Sequence, residues 1–355
     1  MRTPLYDRHV ALGAKIVDFA GWEMPLQYKG IIQEHHAVRN DVGIFDVSHM
    51  GRISVIGNEA EPFLDYLSTN KLIGKKNGSA TYTVLPNDQG GSVDDVIFYK
   101  KDSNNYFLIV NAANRQKDLD HLKNYAKNFD VQIQDHYQGE GILAVQGPKA
   151  LEIGAKLFPE ISSLKPMHFI ETESYILSGT GYTGAGGFEI YASSSTILKL
   201  WDQLLVEGQS EKIQPVGLGA RDTLRLEMGY ALYGHELNDA IAPNESVSAW
   251  TVHWEKGDFL GKAAMATIQE SPNKRSEHGL VLLEKGIARE GCEVFKGERL
   301  IGKVTSGTYS PTLDQSIAII LAEGEWSERD LVEVQIRQNR VKAQIKTLPF
   351  VKKIK

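Results

Sequence analysis

The chain of 355 residues contains a single cysteine, Cys292, which excludes an intrachain disulfide and is typical of a reducing compartment. No apolar stretch approaches the roughly 18 to 20 residues of a membrane span, which argues against a membrane partner. A basic excess is also absent: the formal net charge is −6, which argues against binding to nucleic-acid phosphates. Because the first residues show no secretory signal pattern, we expect a cytoplasmic protein.

What the sequence does contain is the ordinary composition of a globular protein, with 42% hydrophobic and 24% charged residues. Its length indicates two or three domains. Hydrophobic periodicity predicts helices at 31–42, 59–68, 115–128, after Pro148, at 195–207 and at 215–229, and strands at 44–48, 52–57, 81–85, 96–99, 106–110, 141–146, 175–178 and 188–192. Strands separated by short turns and mixed with helices favour an α+β fold over a doubly wound sheet.

The last quarter of the chain differs from the rest in its pattern of polar and apolar residues. Residues 270–278 are polar and include a proline, so we expect a linker there and a division into units 1–270 and 278–350. Beyond the linker, alternating runs at 332–337 and 341–345 predict two strands joined by a turn at 338–340. The C-terminal unit is therefore predicted to be a small antiparallel β-barrel or sandwich.

The most informative local feature is the pair Asp94-Asp95, which follows two glycines and precedes an apolar run. This order predicts a turn that leads into a strand. Neighbouring side chains on a strand point to opposite faces, so only one of the two carboxylates can point to water. The other needs a partner, which a ligand with amine or N–H groups would supply. The alternative is an acidic hairpin turn without further role.

A second candidate lies in the glycine-rich stretch 179–187 and the strand that follows it. A phosphate loop is excluded, because no Gly-Lys-Ser/Thr ending is present and a strand rather than a helix follows. Glu189 opens this strand as Asp95 opens the earlier one, and each carboxylate has a tyrosine nearby, Tyr182 and Tyr99. Such an arrangement is typical of a polar ligand site with aromatic walls. A flexible hairpin loop is the alternative.

Two arginines, Arg221 and Arg225, lie one turn apart on the predicted helix 215–229. Like charges at this spacing repel, and a carboxylate or a ligand oxygen would offset the repulsion. The pair is therefore either part of a binding site or a solvated pair on a surface helix.

Other reactive residues point to no further chemistry. His35 and His36 face different directions on a helix, and no cysteine partner or His-Glu-x-x-His spacing accompanies them or His49, so we expect no metal site. Ser48 and His49 are neighbours on a predicted strand and would face opposite sides, which argues against a hydrolytic pair.

Taken together, the motifs resemble those of the glycine cleavage system T-proteins, which are aminomethyltransferases. The resemblance covers essentially the whole chain and rests on many short motifs in order. They are Thr3-Pro4-Leu5-Tyr6, Phe19-Ala20-Gly21-Trp22-Glu23-Met24-Pro25, Phe45-Asp46-Val47-Ser48-His49-Met50, Gly90-Gly91-x-x-Asp94-Asp95, Val110-Asn111-Ala112, Gln146-Gly147-Pro148, Gly181-Tyr182-Thr183-Gly184, Ala220-Arg221-Asp222-x-Leu224-Arg225-Leu226-Glu227, Val304-Thr305-Ser306-Gly307 and Leu348-Pro349-Phe350.

The resemblance implies three domains around a central folate-binding hole, with residues 1–270 forming two interleaved α+β domains and 278–350 a C-terminal antiparallel barrel. It also implies an activity. The one-carbon unit of the aminomethyl group carried by lipoylated H-protein passes to tetrahydrofolate, ammonia is released, and 5,10-methylenetetrahydrofolate and dihydrolipoyl H-protein remain.

Site residues follow from the same resemblance. Asp95 matches the catalytic aspartate, which aligns the folate amines with the aminomethyl group and assists proton movement. Glu189 matches the acid that accepts hydrogen bonds from the pterin, and Arg221 the arginine near the pterin carbonyl. The positions that match the lining of the folate site are Met50, Tyr82, Tyr99, Asn111 and Tyr182.

This chain departs from the family in one loop, where Ala185-Gly186 replaces a usual Glu-Asp and two acidic side chains are absent. Two alternatives share the fold: tetrahydrofolate-dependent demethylases, and non-enzymatic folate-binding proteins of iron–sulfur cluster assembly. The latter carry a Lys-Gly-Cys-Tyr-like motif. The matching stretch here begins Lys256-Gly257-Asp258-Phe259, and Asp258 stands where the cysteine would be, which counts against that group.

Overall fold

The computed structural model describes residues 1–136 and 138–353. Within them the helices are α1 (Tyr6–Ala11), α2 (Ile31–Asn40), α3 (Ala60–Tyr66), α4 (Arg115–Tyr125), α5 (Ala150–Leu157), α6 (Ser194–Glu207), α7 (Leu218–Glu227) and α8 (Lys262–Glu270). The strands are β1 (Lys15–Phe19), β2 (Trp22–Gln27), β3 (Gly43–Asp46), β4 (Gly51–Ile56), β5 (Ser79–Pro86), β6 (Ser92–Asp102), β7 (Asn105–Val110), β8 (Gln132–Asp135), β9 (Glu140–Gln146), β10 (Phe169–Glu171), β11 (Tyr175–Ser178), β12 (Gly187–Ser193), β13 (Gln214–Pro215), β14 (Arg275–Leu282), β15 (Glu293–Lys296), β16 (Arg299–Ser310), β17 (Gln315–Glu323), β18 (Leu331–Ile336) and β19 (Asn339–Lys346). None of the helices in these ranges combines the length and the apolar character needed to cross a bilayer.

The first sheet has the antiparallel strand order β5-β6-β7-β4-β8. Alternation along its strands places one set of apolar side chains under α3 and α4, where Phe63 and Leu119 pack against Val96 and Leu108. This burial, about 25 cal/mol per Å² of apolar surface, holds the two helices on one face and leaves the other face for a second layer.

The second sheet has the order β10-β11-β12-β9-β3-β13, and only β13 runs parallel to its neighbour. Its outer face is covered by α5 and α6, through side chains such as Ile153, Trp201 and Leu204. Ser193 caps α6, because its hydroxyl accepts a hydrogen bond from the backbone N–H of Thr196.

The two sheets pack against each other through aromatic side chains on their inner faces. Tyr99 stacks on Phe107 with ring centroids 4.2 Å apart, and both rings meet Phe169 and Tyr191 edge to face. The first sheet uses residues 51–135, which fall between two neighbouring strands of the second sheet, β3 and β9. The site described below lies where these layers and α7 come together.

The C-terminal unit is a closed barrel with the strand order β14-β17-β16-β15-β18-β19. Every other residue points inward, so Val341, Ala343 and Ile345 of β19 are buried in the barrel core. The expectation of a small antiparallel unit is therefore confirmed, and the barrel form replaces the sandwich alternative. The division into units 1–270 and 278–350 stays a prediction.

Two local expectations about this region are wrong. Ile336 pairs with Asn339, so the turn is Arg337-Gln338 and not 338–340, and Arg337 adopts φ 56°. Two-residue hairpin turns require such positive φ, but no glycine marks the position in the sequence. The linker is also shorter than 270–278, because α8 extends to Glu270 and β14 begins at Arg275. Arg275 is held by Glu245, with Nε 2.8 Å from Oε1.

A buried polar cluster joins the barrel to α2 and α7. Glu227, at the end of α7, accepts hydrogen bonds from the hydroxyls of Ser310 (2.5 Å) and Thr312 (2.8 Å) in the barrel. The Nη2 atom of Arg39 lies 2.8 Å and Nε2 of His35 lies 3.2 Å from the same carboxylate. Since Glu227 is fully buried, these partners compensate the cost of removing its charge from water.

Candidate active site

The Asp94-Asp95 pair lies on β6, where strand alternation sends the two carboxylates to different environments. Asp94 is fully buried. It accepts hydrogen bonds from the backbone N–H of Asn111 (3.0 Å), from Nδ2 of Asn111 (2.9 Å) and from Nδ2 of Asn114 (2.6 Å). Burial raises the pKa of Asp94, although the hydrogen bonds to Asp118, Asn111 and Asn114 oppose the effect.

Asp95 is half-buried, and each of its two carboxylate oxygens is oriented by a neighbour. The Tyr82 hydroxyl donates to Oδ2 at 2.9 Å, and Nδ2 of Asn111 donates to Oδ1 at 2.9 Å. Burial raises the pKa of Asp95 to about 7, and the nearby charge of Asp94 adds to the effect. A carboxyl group with such a pKa can both hold and release a proton near neutral pH.

Tyr82 connects Asp95 with the segment that follows α7. The Tyr82 hydroxyl donates its proton to Asp95. The Ser248 hydroxyl, 2.9 Å away, therefore donates a hydrogen bond to the tyrosine oxygen. The Tyr82 ring stacks on Trp250 at a centroid distance of 5.7 Å. Because 65% of the Trp250 side chain is exposed, this aromatic pair leads from Asp95 to the solvent.

Glu189 lies on β12 and is only 8% exposed. Its Oε2 atom accepts hydrogen bonds from the hydroxyls of Thr180 (2.5 Å) and Tyr191 (2.8 Å). Because the Tyr191 hydroxyl donates its proton to Glu189, the Tyr99 hydroxyl, 2.6 Å away, donates a hydrogen bond to the Tyr191 oxygen. Among residues 1–136 and 138–353, no donor contacts the second carboxylate oxygen, Oε1. Glu189 is therefore fixed through one oxygen and can accept hydrogen bonds with the other.

Arg221, on α7, places its guanidinium carbon 4.6 Å from the centroid of the Tyr182 ring. Tyr182 is itself stacked on Tyr230, with centroids 5.9 Å apart, and its hydroxyl donates to the carbonyl of Ala231. Burial lowers the pKa of Arg221, while the charge of Glu189 opposes the effect. No group in the described part of the chain forms a hydrogen bond with this guanidinium, so its donors are available to a ligand.

Three further residues named from the sequence take different positions. Asn111 follows β7 directly and bridges Asp94 and Asp95. Met50 is half-buried and packs on the core between the two sheets. Tyr99 is fully buried in that core and reaches Glu189 only indirectly, through the hydroxyls of Tyr191 and Thr180, so it does not line an open site.

The glycine-rich loop is shaped by tight contacts with the second sheet. A Cβ atom at Gly181 would lie 2.0 Å from Oε1 of Gln146, and one at Gly187 would lie 2.1 Å from the carbonyl oxygen of Val145. Gly187 also has φ +120°, which other residues rarely adopt. Ala185, in the position where this chain departs from the family pattern, is fully buried between the sheets. The loop is therefore a fixed support for Tyr182 and Glu189, not a flexible hairpin.

The structure also shows the surroundings of the other residues considered from the sequence. Arg225 is neither solvated nor available to a ligand, because it is buried and its guanidinium contacts Glu236 (2.8 Å) and Ser306 (2.9 Å). Strand β3 ends at Asp46, so Ser48 and His49 lie in a turn; Ser48 bonds to the backbone of Ile142 and not to His49. No group of three or more His, Cys, Asp or Glu side chains in residues 1–136 and 138–353 is arranged to hold a metal ion.

Comparison with known proteins places this geometry in a family. Residues 5–256 match the model of the GCVT N-terminal domain, and residues 275–352 match that of the glycine cleavage T-protein C-terminal barrel domain. The chain belongs to the glycine cleavage T-protein family. The match to two adjoining models covers the sheets, α7 and the barrel, and so includes every candidate site residue.

Individual T-protein relatives agree with this assignment over their full lengths. The chain is 43% identical to an aminomethyltransferase of Pseudothermotoga lettingae over 353 residues, covering 98% of this chain and 97% of the relative. Identity to the aminomethyltransferase of Bacillus subtilis is 43% over 360 residues, covering 99% of each chain. The crystal structure of glycine cleavage system aminomethyltransferase T from Bartonella henselae superimposes with a TM-score of 0.93 at 34% identity, covering 99% of this chain and 98% of that one.

These relatives confirm the α+β fold class with its C-terminal barrel and the prediction of an aminomethyltransferase of the glycine cleavage system. Four residues that contact the candidate site are not among those predicted from the sequence. Ser248, Trp250, Tyr230 and Thr180 contact the candidate residues, but they lie in segments without hydrophobic periodicity. No local pattern marks Ser248, Trp250 or Tyr230, because their positions depend on contacts between distant segments. Thr180 lies within the glycine-rich stretch 179–187, but nothing there distinguishes it from its neighbours.

Proposed function

We propose that this chain transfers the one-carbon unit of aminomethyl-lipoyl H-protein to tetrahydrofolate, with Asp95 as the catalytic carboxylate. The observation that supports it most directly is the orientation of Asp95 by Tyr82 and Asn111, one hydrogen bond to each oxygen. Ammonia, dihydrolipoyl H-protein and 5,10-methylenetetrahydrofolate are the products. The partners are therefore lipoylated H-protein and, less directly, the other glycine cleavage components. We place the reaction in the cytoplasm.

The residues around Glu189 fit a pterin ring. The pyrimidinone ring of a pterin is flat, and its edge presents amino and N–H donors beside a carbonyl oxygen. Oε1 of Glu189 is an acceptor for these donors, and the free guanidinium donors of Arg221 suit the carbonyl. The Tyr182 ring offers an aromatic wall beside them. The proposed folate contacts are Met50, Tyr82, Asn111, Tyr182, Glu189 and Arg221. Tyr99 is proposed to support the site from behind, through the hydroxyls of Tyr191 and Thr180 that orient Glu189.

Bound tetrahydrofolate supplies the nucleophilic ring nitrogen that accepts the one-carbon unit. The protein supplies alignment and a proton site. Asp95 accepts hydrogen bonds from the reacting amines, and because its pKa is about 7 it can accept a proton at a carboxylate oxygen during the transfer. Tyr82 and Asn111 prevent rotation of the carboxylate, so the proton moves at a fixed position. No step in this scheme requires a metal ion.

The decisive assay is tetrahydrofolate-dependent ammonia release from aminomethyl-loaded H-protein. We expect ammonia in proportion to the H-protein supplied, and no release when tetrahydrofolate is left out. A competent H-protein that yields no ammonia with this enzyme would refute the proposal and favour a tetrahydrofolate-dependent demethylase of the same fold.

The rate should also depend on pH in a defined way. Asp95 acts as a carboxylate, so kcat/KM is expected to rise with pH through an apparent pKa of about 7 and to fall on the acidic side. Burial is the main cause of the raised pKa of Asp95, and the charge of Asp94 adds to it. Replacing Asp94 with asparagine removes that like charge, so the acidic fall in rate should move to lower pH. Initial rates of ammonia release between pH 5 and pH 9 provide the measurement. If the rate of Asp94→Asn falls at the same acidic pH as that of the wild type, the two carboxyl groups are not coupled.

A further inference from the structure

Lys256 is a buried lysine outside the contacts described so far. Its side chain is only 1% exposed, and its Nζ atom donates to the backbone carbonyls of Asp65, Ser68 (2.7 Å) and Asn70 (3.0 Å). Oδ2 of Asp65 lies 3.5 Å from the same nitrogen. An ammonium group has three donors, and here each has one carbonyl acceptor. The lysine therefore binds carbonyls in the last turn of α3 and just beyond it, where carbonyls lack helical partners.

The carbonyls that bind Lys256 belong largely to residues 68–70, here called the 68–70 turn. Its other side contacts β5, because the side-chain amide of Asn70 donates to the backbone carbonyl of Tyr82 at 2.9 Å. Thr69 N donates to the carbonyl of Val84 at 3.0 Å. The 68–70 turn thus holds the backbone of the strand that carries Tyr82.

Residues 248–256, here called the 248–256 segment, approach the same tyrosine from the side-chain end. Ser248 contacts the Tyr82 hydroxyl, and Trp250 stacks on the ring. The segment also bonds to the 68–70 turn: Thr251 Oγ1 lies 2.9 Å from Thr69 Oγ1, and His253 N donates to the carbonyl of Thr69 at 3.0 Å. Lys256 is the last residue of the segment, and it supplies the charged contact between the two.

We propose that Lys256 is a positioning residue, which fixes the 248–256 segment on the 68–70 turn and thereby holds Ser248 and Trp250 against Tyr82. This inference rests on the proposed function, because the position of Tyr82 affects turnover through its hydrogen bond to Asp95. Lys256 touches neither substrate nor the reacting atoms. Its effect is to limit the movement of the aromatic pair that connects Asp95 with the solvent.

The environment of Lys256 gives this contact a pH dependence. Burial lowers the pKa of Lys256 to about 8, the charge of Asp65 opposes the effect, and Lys262 adds to it. His253, on the same segment, also interacts with this lysine, because the charge of Lys256 contributes to lowering the pKa of His253. Below about pH 8 the ammonium group has three donors for three carbonyls, and above it the neutral amine has two. The contact should therefore weaken as pH rises through 8.

The test compares Lys256→Met with Lys71→Met in the full-length enzyme. Methionine is unbranched like lysine and one atom shorter, and it has no donors; Lys71 is an exposed lysine just beyond the 68–70 turn. In Lys256→Met we expect the KM for tetrahydrofolate to rise by roughly tenfold, with a smaller fall in kcat. The reason is that displacement of Tyr82 and Trp250 weakens both the binding and the alignment of the folate. Lys71→Met should behave as the wild type. Unchanged kinetics in a folded Lys256→Met enzyme would overturn the proposal.

A double variant separates positioning from a general structural role. If Lys256 acts through Ser248, the double variant Lys256→Met/Ser248→Ala should have a kcat/KM only slightly lower than that of the more impaired single variant. Fully additive losses would overturn the proposed route. If Lys256→Met does not fold, the proposal can be tested on the wild-type enzyme. Its KM for tetrahydrofolate should increase as the pH rises above about 8. A KM that stays constant over this range would contradict the role of the ammonium group.

Hydrogen exchange distinguishes failure of this inference from failure of the proposed function. Amides of the 248–256 segment should exchange faster in Lys256→Met than in Lys71→Met, irrespective of turnover. If that difference is seen while Asp95→Asn retains wild-type activity, the positioning contact stands and the catalytic assignment fails. If exchange is unchanged, the positioning contact itself is refuted.

Discussion

Replacing Asp95 with asparagine is expected to leave tetrahydrofolate binding nearly intact and to lower turnover by a factor of about 10² to 10⁴. Asparagine has nearly the same shape, and its amide oxygen can still accept the hydrogen bond from Tyr82. Its amide nitrogen cannot accept the hydrogen bond that Asn111 donates to Oδ1 of Asp95. Because the amide cannot accept a proton at neutral pH, the proton site is lost while the contact with Tyr82 remains. Calorimetric titration with tetrahydrofolate and the rate of ammonia release measure the two effects separately.

Asp94→Asn is the matched control for this substitution. Asp94 lies one residue away but is fully buried and is surrounded by Asn111, Asn114 and Asp118, so it supports the site without reaching a ligand. Its turnover at the optimal pH should fall much less than that of Asp95→Asn. Wild-type turnover in Asp95→Asn, or the reverse order of the two variants, would show that the catalytic carboxylate has been misassigned.

Replacing Glu227 with alanine should lower the free energy of unfolding by about 3 to 5 kcal/mol. The substitution leaves the buried guanidinium of Arg39 without its carboxylate and removes the acceptor for Ser310 and Thr312 in the barrel. Urea unfolding at pH 7 is the measurement. Glu323→Ala is the control, because the exposed Glu323 lies 3.9 Å from an exposed Arg299 and such pairs contribute at most about 1 kcal/mol.

The contribution of Glu227 should disappear in acid. Burial on its own would raise the pKa of this carboxyl, but the hydrogen bonds from His35 and Ser310 and the charge of Arg39 lower it to about 2. A folded-state pKa below the ordinary value of 4.5 means that the stabilisation is complete above about pH 4.5 and is lost as the pH falls toward 2. The difference between wild type and Glu227→Ala should shrink over that window. A difference that stays constant from pH 7 to pH 3 would argue against the ionised cluster.

The sequence predicted most elements of the fold because they follow simple periods. The helix at 115–128 and the strands at 106–110 and 175–178 are found close to their predicted positions, since burial of one face determines both the period and the structure. The separation of Asp94 from Asp95 also follows from strand alternation. Periodicity could not assign the catalytic role to either residue; the family resemblance did so.

Other parts could not be read from local sequence. Tyr99 looks like a lining residue when its strand is considered alone, yet it is buried because the second sheet packs over it. Ser248, Trp250 and Lys256 lie in a segment without regular period, and contacts with residues 65–82, far away in the chain, determine their positions. Long-range contacts of this kind leave no local pattern in the amino-acid sequence.

The order of strands in the second sheet also has a consequence during synthesis on the ribosome. The chain emerges from its N-terminus, and β3 has its antiparallel partner, β9, about a hundred residues later. The first sheet is complete in sequence before β9 is made, so it can form while the edges of β3 remain unpaired. The nascent protein is therefore expected to expose a short, mostly apolar strand for the seconds that translation of the intervening residues takes, and we expect the risk of wrong strand pairing to be highest in that interval.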